Sequence, residues 1–363
     1  MREDLGYWLA LARFSGFGPV RMLKLSRRFS SMKSVFEASV TDLLEAGIEP
    51  EPAHRFLQER IHLDPQVELE RLNTEGARAI TLKDEDYPPI LKTLYDPPAV
   101  LFVRGELPDP TRKHLAVVGS RQASGYGKDV ARTLIEPLSR LGVVIVSGLA
   151  YGIDACAHQT CLDAGGTTVA VLGNGVDAQS IYPSQHRALS SHILARGGAL
   201  ISEFPFGTSP LKHHFPIRNR IIAGMCHGTL VIEAALKSGS LITARAALEG
   251  GRDVYAVPGP ITSPLSEGPN NLIKMGAIPV TKPSDIFGLQ EADGPEQASS
   301  YIPSNEDERL VLQALETVPH HIDEVIRQTQ LPSAHVSSAI TMLEMREMIR
   351  HDGGQYYRKV ARR

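Results

Sequence analysis

Cysteine is scarce in this chain: there are three among 363 residues, Cys156, Cys161 and Cys226. So sparse and odd a set excludes a disulfide framework and fits a reducing compartment, which leaves these thiols as small core residues. The stretch "CAHQTC" supplies no metal site, because Cys156 and His158 on a helix lie about 200° apart and share no face. A run of about eighteen apolar residues, enough to cross a membrane, is also missing. The start, "MREDLGYWLALARFSGFG", lacks the charged lead, apolar core and small-residue cleavage site of a secretory signal. The expectation is a cytoplasmic protein with no metal, no cofactor and no membrane contact. Neither sign of charge dominates, since 38 Lys+Arg stand against 41 Asp+Glu.

That near-neutral total hides a division. Residues 112–288 hold 16 Lys+Arg against 11 Asp+Glu, a local balance of +5, with seven histidines, while the flanking parts are acidic. Such an excess signals a polyanionic partner only where the cations converge. A length of 363 residues with 42% hydrophobic content predicts two or three domains. Residues 1–75 read as short amphipathic helices, with the turn "SGFGPVRMLKL" placing Pro19 at the first position of a helix. This turn resembles the hairpin of helix-hairpin-helix and SAM-like domains, but with no clear second copy an ordinary helical hairpin is the favoured account of it. Residues 76–288 begin with two strands, Ala79–Leu82 and Ala99–Val103. They continue as alternating apolar strand runs and helices, ending with "LITARAALEGG" and "DVYAVPG". The fold class expected is α/β: an extended Rossmann-like, doubly wound, mostly parallel sheet. Residues 289–304 lose apolar periodicity and read as a linker. Residues 305–363 read as three helices and a hairpin around Asp352-Gly353-Gly354, a winged helix.

In such a sheet, ligands bind outside the carboxyl ends of the strands, where helix N-termini point. Six strand ends here are rich in Gly and Ser, among them Gly119-Ser120-Arg121 and Ser238-Gly239-Ser240. Tight βα turns explain any one of them, but six in succession suit a ligand that runs along the sheet edge, as a polyphosphate backbone does. The first turn is not the Gly-x-Gly-x-x-Gly of a dinucleotide site, and no acid closes the second strand to hold a ribose, so a nicotinamide enzyme is disfavoured. Between the fourth and fifth strands of this alternating run, "SPLKHHFPIRNRIIAG" gathers Lys212, His213, His214, Arg218 and Arg220 around Phe215. Cations for phosphate and a ring for base stacking are what single-stranded nucleic acid requires. The bland alternative makes Phe215 a core residue and pairs Arg220 with an acid. Catalytic readings are weaker: Ser147, His158 and Asp154 form a triad only on paper, and Glu203 and Glu233 are the one carboxylate pair worth testing for acid/base work.

Successive blocks, "VVGSR", "VSGLAYGIDACAH", "TVAVLGNGVD", "ISEFPFG", "FPIRNRIIAG", "VIEAALKSGSLITARAALEGGRDVYAVPG" and "NNLIKMGA", resemble the DNA processing protein A family (DprA, also called Smf). The resemblance spans residues 87–288 and extends to the domain order: a SAM-like domain, a Rossmann core and a winged helix. It implies a non-enzymatic protein that binds single-stranded DNA during natural transformation and loads the RecA recombinase, displacing single-strand-binding protein. It also implies a homodimer formed through the Rossmann core. The implied DNA-binding residues are Gly119, Ser120, Arg121, Lys212, Phe215, Arg218, Asn219, Ser238, Gly239 and Ser240, to which the basic cluster adds Arg220. Pro269 in "SEGPNNLI" departs from the family pattern and leaves that loop's role open. Two rivals remain. "MCHGTLVIEA" keeps part of the loop of lysine-decarboxylase-like phosphoribohydrolases, with Glu233 as its glutamate. Alternatively the winged helix reads duplex DNA, although residues 305–363 carry only 8 Lys+Arg against 9 Asp+Glu.

Overall fold

The computed structural model describes residues 2–289, 303, 305–316, 318–346 and 348–359. The chain divides into two compact units, Met1–Ala292 and Asp293–Arg363.

The first unit opens with six helices: α1 (Arg2–Arg13), α2 (Pro19–Arg28), α3 (Met32–Glu37), α4 (Val40–Glu45), α5 (Pro50–Glu59) and α6 (Pro65–Thr74). Their starts are written locally. Proline occupies the first turn of α2, α5 and α6, where its missing N–H costs nothing. Ser39 and Asp42 close a reciprocal capping box on α4. The apolar faces converge on Phe14, Phe17 and Phe56, whose ring centroids lie 4.7 and 4.8 Å apart in successive pairs. This cluster is continuous with Phe102, Leu172, Leu200 and Phe206 of the sheet region, so helices and sheet share one apolar core.

The sheet strands are β1 (Arg78–Thr81), β2 (Val100–Gly105), β3 (His114–Val118), β4 (Val144–Ser147), β5 (Thr168–Val171), β6 (Ala199–Ser202), β7 (Gly228–Val231), β8 (Asp253–Ala256) and β9 (Ile278–Pro279). Their order is β1-β2-β6-β5-β4-β3-β7-β8-β9. From β6 to β9 every pairing is parallel, while β1 and β2 add an antiparallel extension at one edge. The parallel strands β3 to β7 are buried along their whole length, as continuous apolar runs covered on both faces must be. The crossovers run through α7 (Gly125–Arg140), α8 (Ile153–Asp163), α9 (Arg187–Ala195), α10 (His214–Gly224), α11 (Ser240–Glu249) and α12 (Glu267–Lys274). Strand order reverses at β3, with β4 on one side and β7 on the other, so the crevice for a ligand lies outside the ends of β3 and β7.

One helix departs from the sequence reading. Periodicity alone places this helix over "NRIIAGMC", from Asn219, yet α10 starts at His214, which makes the basic segment itself its opening turns. Pro216 is tolerated there because an N–H in the first turn has no intrahelical partner.

The second unit contains α13 (Glu306–Ala314), β10 (His320–His321), α14 (Ile322–Thr329), α15 (Ser333–Met345), β11 (Ile349–Gly353) and β12 (Tyr356–Lys359). Its sheet order is β10-β12-β11, and its core is built from Val311, Val325, Val336, Ile340 and Leu343. The expected hairpin is present, with Gly354 and Gln355 both at positive φ in its turn. Helix α15 carries neither Lys nor Arg. The stretch 289–304, read as a linker, lies outside the described residues except for Leu289 and Pro303.

Two buried histidines make the core acid-sensitive. His158 has its Nδ1 2.7 Å from Thr168 Oγ1, and burial pushes its pKa from 6.5 down to about 3. Burial, with His227 beside it, takes His114 to about 4. Both are neutral when folded, so below pH ~6.5 the unfolded chain binds protons that the folded one refuses. Stability is therefore expected to be full above that pH and to fall as pH drops towards ~4. Thermal melts across this window should show a smaller acid-side decline for His158→Gln than for wild type. Parallel declines would refute the assignment.

Candidate nucleic-acid interface

A cleft of about 530 Å³ occupies the switch-point crevice. Gly119, Ser120 and Arg121 enter it from the end of β3, and Ser238, Gly239 and Ser240 enter from the start of α11. Lys212 and the first turns of α10, with Phe215, Arg218 and Asn219, form the third wall. Residues up to 121 positions apart in sequence thus meet at one helix N-terminus, where N–H groups and the helix dipole favour an anion. Lys237, Gln122 and Thr243 also line the cleft. Sequence reasoning passed over them because Lys237 sits beside the conspicuous Ser-Gly-Ser turn and Thr243 is one turn into a helix. Thr243 Oγ1 is buried without a hydrogen-bond partner among the described residues.

The cations differ in kind. Arg121 is exposed, with its guanidinium 5.5 Å from the centroid of the half-buried Phe215 ring. Arg218 sits 5.8 Å from the same ring but is itself buried. Its guanidinium donates to Gly148 O at 2.7 Å and to Val171 O, tying α10 to the ends of β4 and β5. The approach is possible because residue 148 is glycine: a Cβ there would lie 2.7 Å from the guanidinium. Beneath it Asp154 accepts from the N–H groups of Gly148 and Ala150, 3.1 and 3.3 Å away. The left-handed backbone of Leu149, at φ 56, lets the loop wrap that carboxylate. Burial pushes Asp154 upwards against the pull of Arg218, and burial lowers Arg218 to about 10, which leaves it charged near neutrality. Asn219 donates to Gly239 O at 3.1 Å and so fixes the Ser-Gly-Ser turn against α10. Gly239 itself faces open space, with nothing within 4 Å of where its Cβ would be.

Other candidates fall outside this cleft. Arg220 turns away and pairs with Glu203 at 2.5 Å and Asp96 at 3.0 Å, the acid pairing that the sequence left open. Glu203 is therefore held by Arg220, and Glu233 accepts from the backbone N–H of Ser124 at 2.9 Å and from its hydroxyl, at the start of α7. The two glutamates serve separate structural bonds and form no acid/base pair. Ser147 donates to Val117 O at 2.6 Å, whereas His158 binds Thr168 and Asp154 binds backbone, so the paper triad does not assemble. Among the described residues no cluster of His, Cys, Asp and Glu could hold a metal. The loop around Pro269 begins α12 and braces the end of β7, with Gly268 N–H donating to Ala234 O at 2.8 Å.

Against known proteins, the family model described as DNA recombination-mediator protein A matches residues 78–290, and that of the DprA winged helix domain matches residues 295–355. Protein Smf of Escherichia coli (strain K12) is 40% identical over 370 residues, covering 98% of this chain and 96% of that protein. The X-ray structure of DNA processing protein A from Streptococcus pneumoniae superposes with a TM-score of 0.66 at 36% identity, covering 78% of this chain and 95% of that one. A structure of DNA processing protein A from Helicobacter pylori, whose published description concerns its single-stranded DNA binding mode, gives a TM-score of 0.51 at 28% identity, covering 58% and 94%.

Proposed function

The chain belongs to the DNA recombination-mediator protein A family, and on that premise we propose that it binds single-stranded DNA in the switch-point cleft without catalysing a reaction on it. The observation that carries this is the placement of a half-buried aromatic ring under an exposed guanidinium, at the mouth of a helix N-terminus, with Lys212 and Lys237 beside it. Cations meet phosphates, and the ring accepts a base in the sequence-tolerant way that stacking allows. The phosphoribohydrolase alternative needs a glutamate free to act on substrate, and Glu233 is 2% exposed and bound to Ser124. A duplex-reading winged helix would want cations on α15, which has none.

In this reading the single strand is delivered to RecA, with single-strand-binding protein displaced. The working unit is a homodimer whose contact uses exposed apolar residues on the β8–β9 side of the core, among them Leu248 (54% exposed) and Met275 (70%). Light scattering of the purified protein tests the dimer. RecA filament formation on protein-coated strands, with and without this protein, tests the loading step.

Binding itself is tested by fluorescence anisotropy with oligo-dT and a duplex of equal length at several salt concentrations. Single-strand preference with strong salt dependence is expected. Arg121→Ala should weaken binding and lower the salt slope by about 0.7, the value for one phosphate contact on a single strand. Equal binding to both forms would overturn the reading.

A further inference from the structure

Arg121 and Gln122 border not only the switch-point cleft but also one end of a larger groove of about 1160 Å³, which lies between α7, α8 and α9. One face of α8 is its floor, presenting Ala155, Cys156 and Gln159 at helical spacing, short or neutral side chains that leave the channel open. Helix α7 supplies Lys128 and Arg132, one turn apart and both exposed, and α9 supplies His192 across from them. Tyr151 lies at the end nearest the cleft, 39% exposed. Its hydroxyl donates to Gln185 at 2.6 Å, and its ring stands edge-on to His186 at 5.1 Å.

We propose that this groove is a second subsite for the same single strand, taking the nucleotides that pass Arg121 with phosphates against Lys128 and Arg132 and a base stacked on Tyr151. The proposal rests on the cleft being a single-stranded DNA site. Continuity carries it: two residues belong to both walls, so a strand leaving the cleft on the β4 side enters the groove directly. Charge agrees, because the lining cations Arg121, Lys128 and Arg132 face a single lining carboxylate, Asp163, among the described residues. Among the described residues Arg132 is bound by the exposed Asp129 at 3.2 Å, a solvent-screened pair that a phosphate readily replaces. Tyr151 is already held by two contacts, so using it as a platform freezes little side-chain motion. From Ala155 to Asp163 the floor extends about 12 Å, at 1.5 Å per helical residue.

The test compares oligo-dT of about four and about sixteen nucleotides, the span of site sizes known for single-strand grooves. Wild type should bind the longer strand more tightly. The double variant Lys128→Ala/Tyr151→Ala should bind the short strand as wild type does, lose tenfold or more on the long one, and show a long-strand salt slope lower by about 0.7. Tyr151→Phe, which keeps the ring, should restore the stacking contribution, and thermal melts of each variant check that the fold is kept. Unchanged long-strand binding in the double variant, or equal losses at both lengths, would overturn the second subsite. A wild type that fails to bind the short strand would instead overturn the cleft as the DNA site.

Discussion

Arg218→Ala should destabilise the first unit by about 3–5 kcal/mol, the usual cost of leaving a buried charge without its partner. Three consequences coincide. Asp154 loses the cation that offsets its burial, Gly148 O and Val171 O lose their donor, and the ring of Phe215 loses one of the two guanidinium groups near it. Against a typical total of about 5–15 kcal/mol, this is a large fraction. On a unit of this size the melting temperature should drop by on the order of ten degrees. Thermal or urea denaturation reads the effect directly. Arg218→Met/Asp154→Asn, which removes both charges while keeping side-chain volume, should recover part of the loss. A melt for Arg218→Ala within about 1 kcal/mol of wild type would show that the guanidinium serves the ligand alone.

Phe215→Ala is expected to weaken single-stranded DNA binding by about 1–3 kcal/mol, the contribution of one stacked base, equivalent to roughly five- to 150-fold in affinity. The ring sits between α10 and the cleft, with Arg121 above one side and Tyr182 at 5.8 Å, so its removal also frees Arg121 to move. The salt slope should stay at the wild-type value because no phosphate-binding charge is lost. That separates Phe215→Ala from Arg121→Ala, for which affinity and slope fall together. Phe215→Tyr should bind as wild type, since the π-face remains. If Phe215→Ala bound with full affinity, the ring would be a packing residue.

Much of this was legible along the chain because the signals are local. Apolar runs of four or five residues alternating with helical periodicity specify a doubly wound sheet, and prolines and serines at helix starts mark the boundaries of α2, α4 and α6. Glycine- and serine-rich strand ends place the ligand edge for the same reason, since tight turns and close approach demand those residues wherever they fall. The basic stretch 212–220 was also visible, but what each cation does was not. Arg218 and Arg220 stand two residues apart on one helix, and a two-residue step turns the side chain by about 200°. One therefore enters the cleft and holds the β4 and β5 loops, while the other faces away into Glu203 and Asp96. Glu233 likewise looked available as a catalytic acid until the fold set it against the amide of Ser124, 109 residues distant. By itself the sequence determined the α/β architecture, the edge of the sheet that carries the site and the residue types gathered there. Only the tertiary structure decided which charges are neutralised by partners remote in sequence and which remain free to meet a ligand, because pairing depends on through-space distance and burial, and neither is encoded in local periodicity.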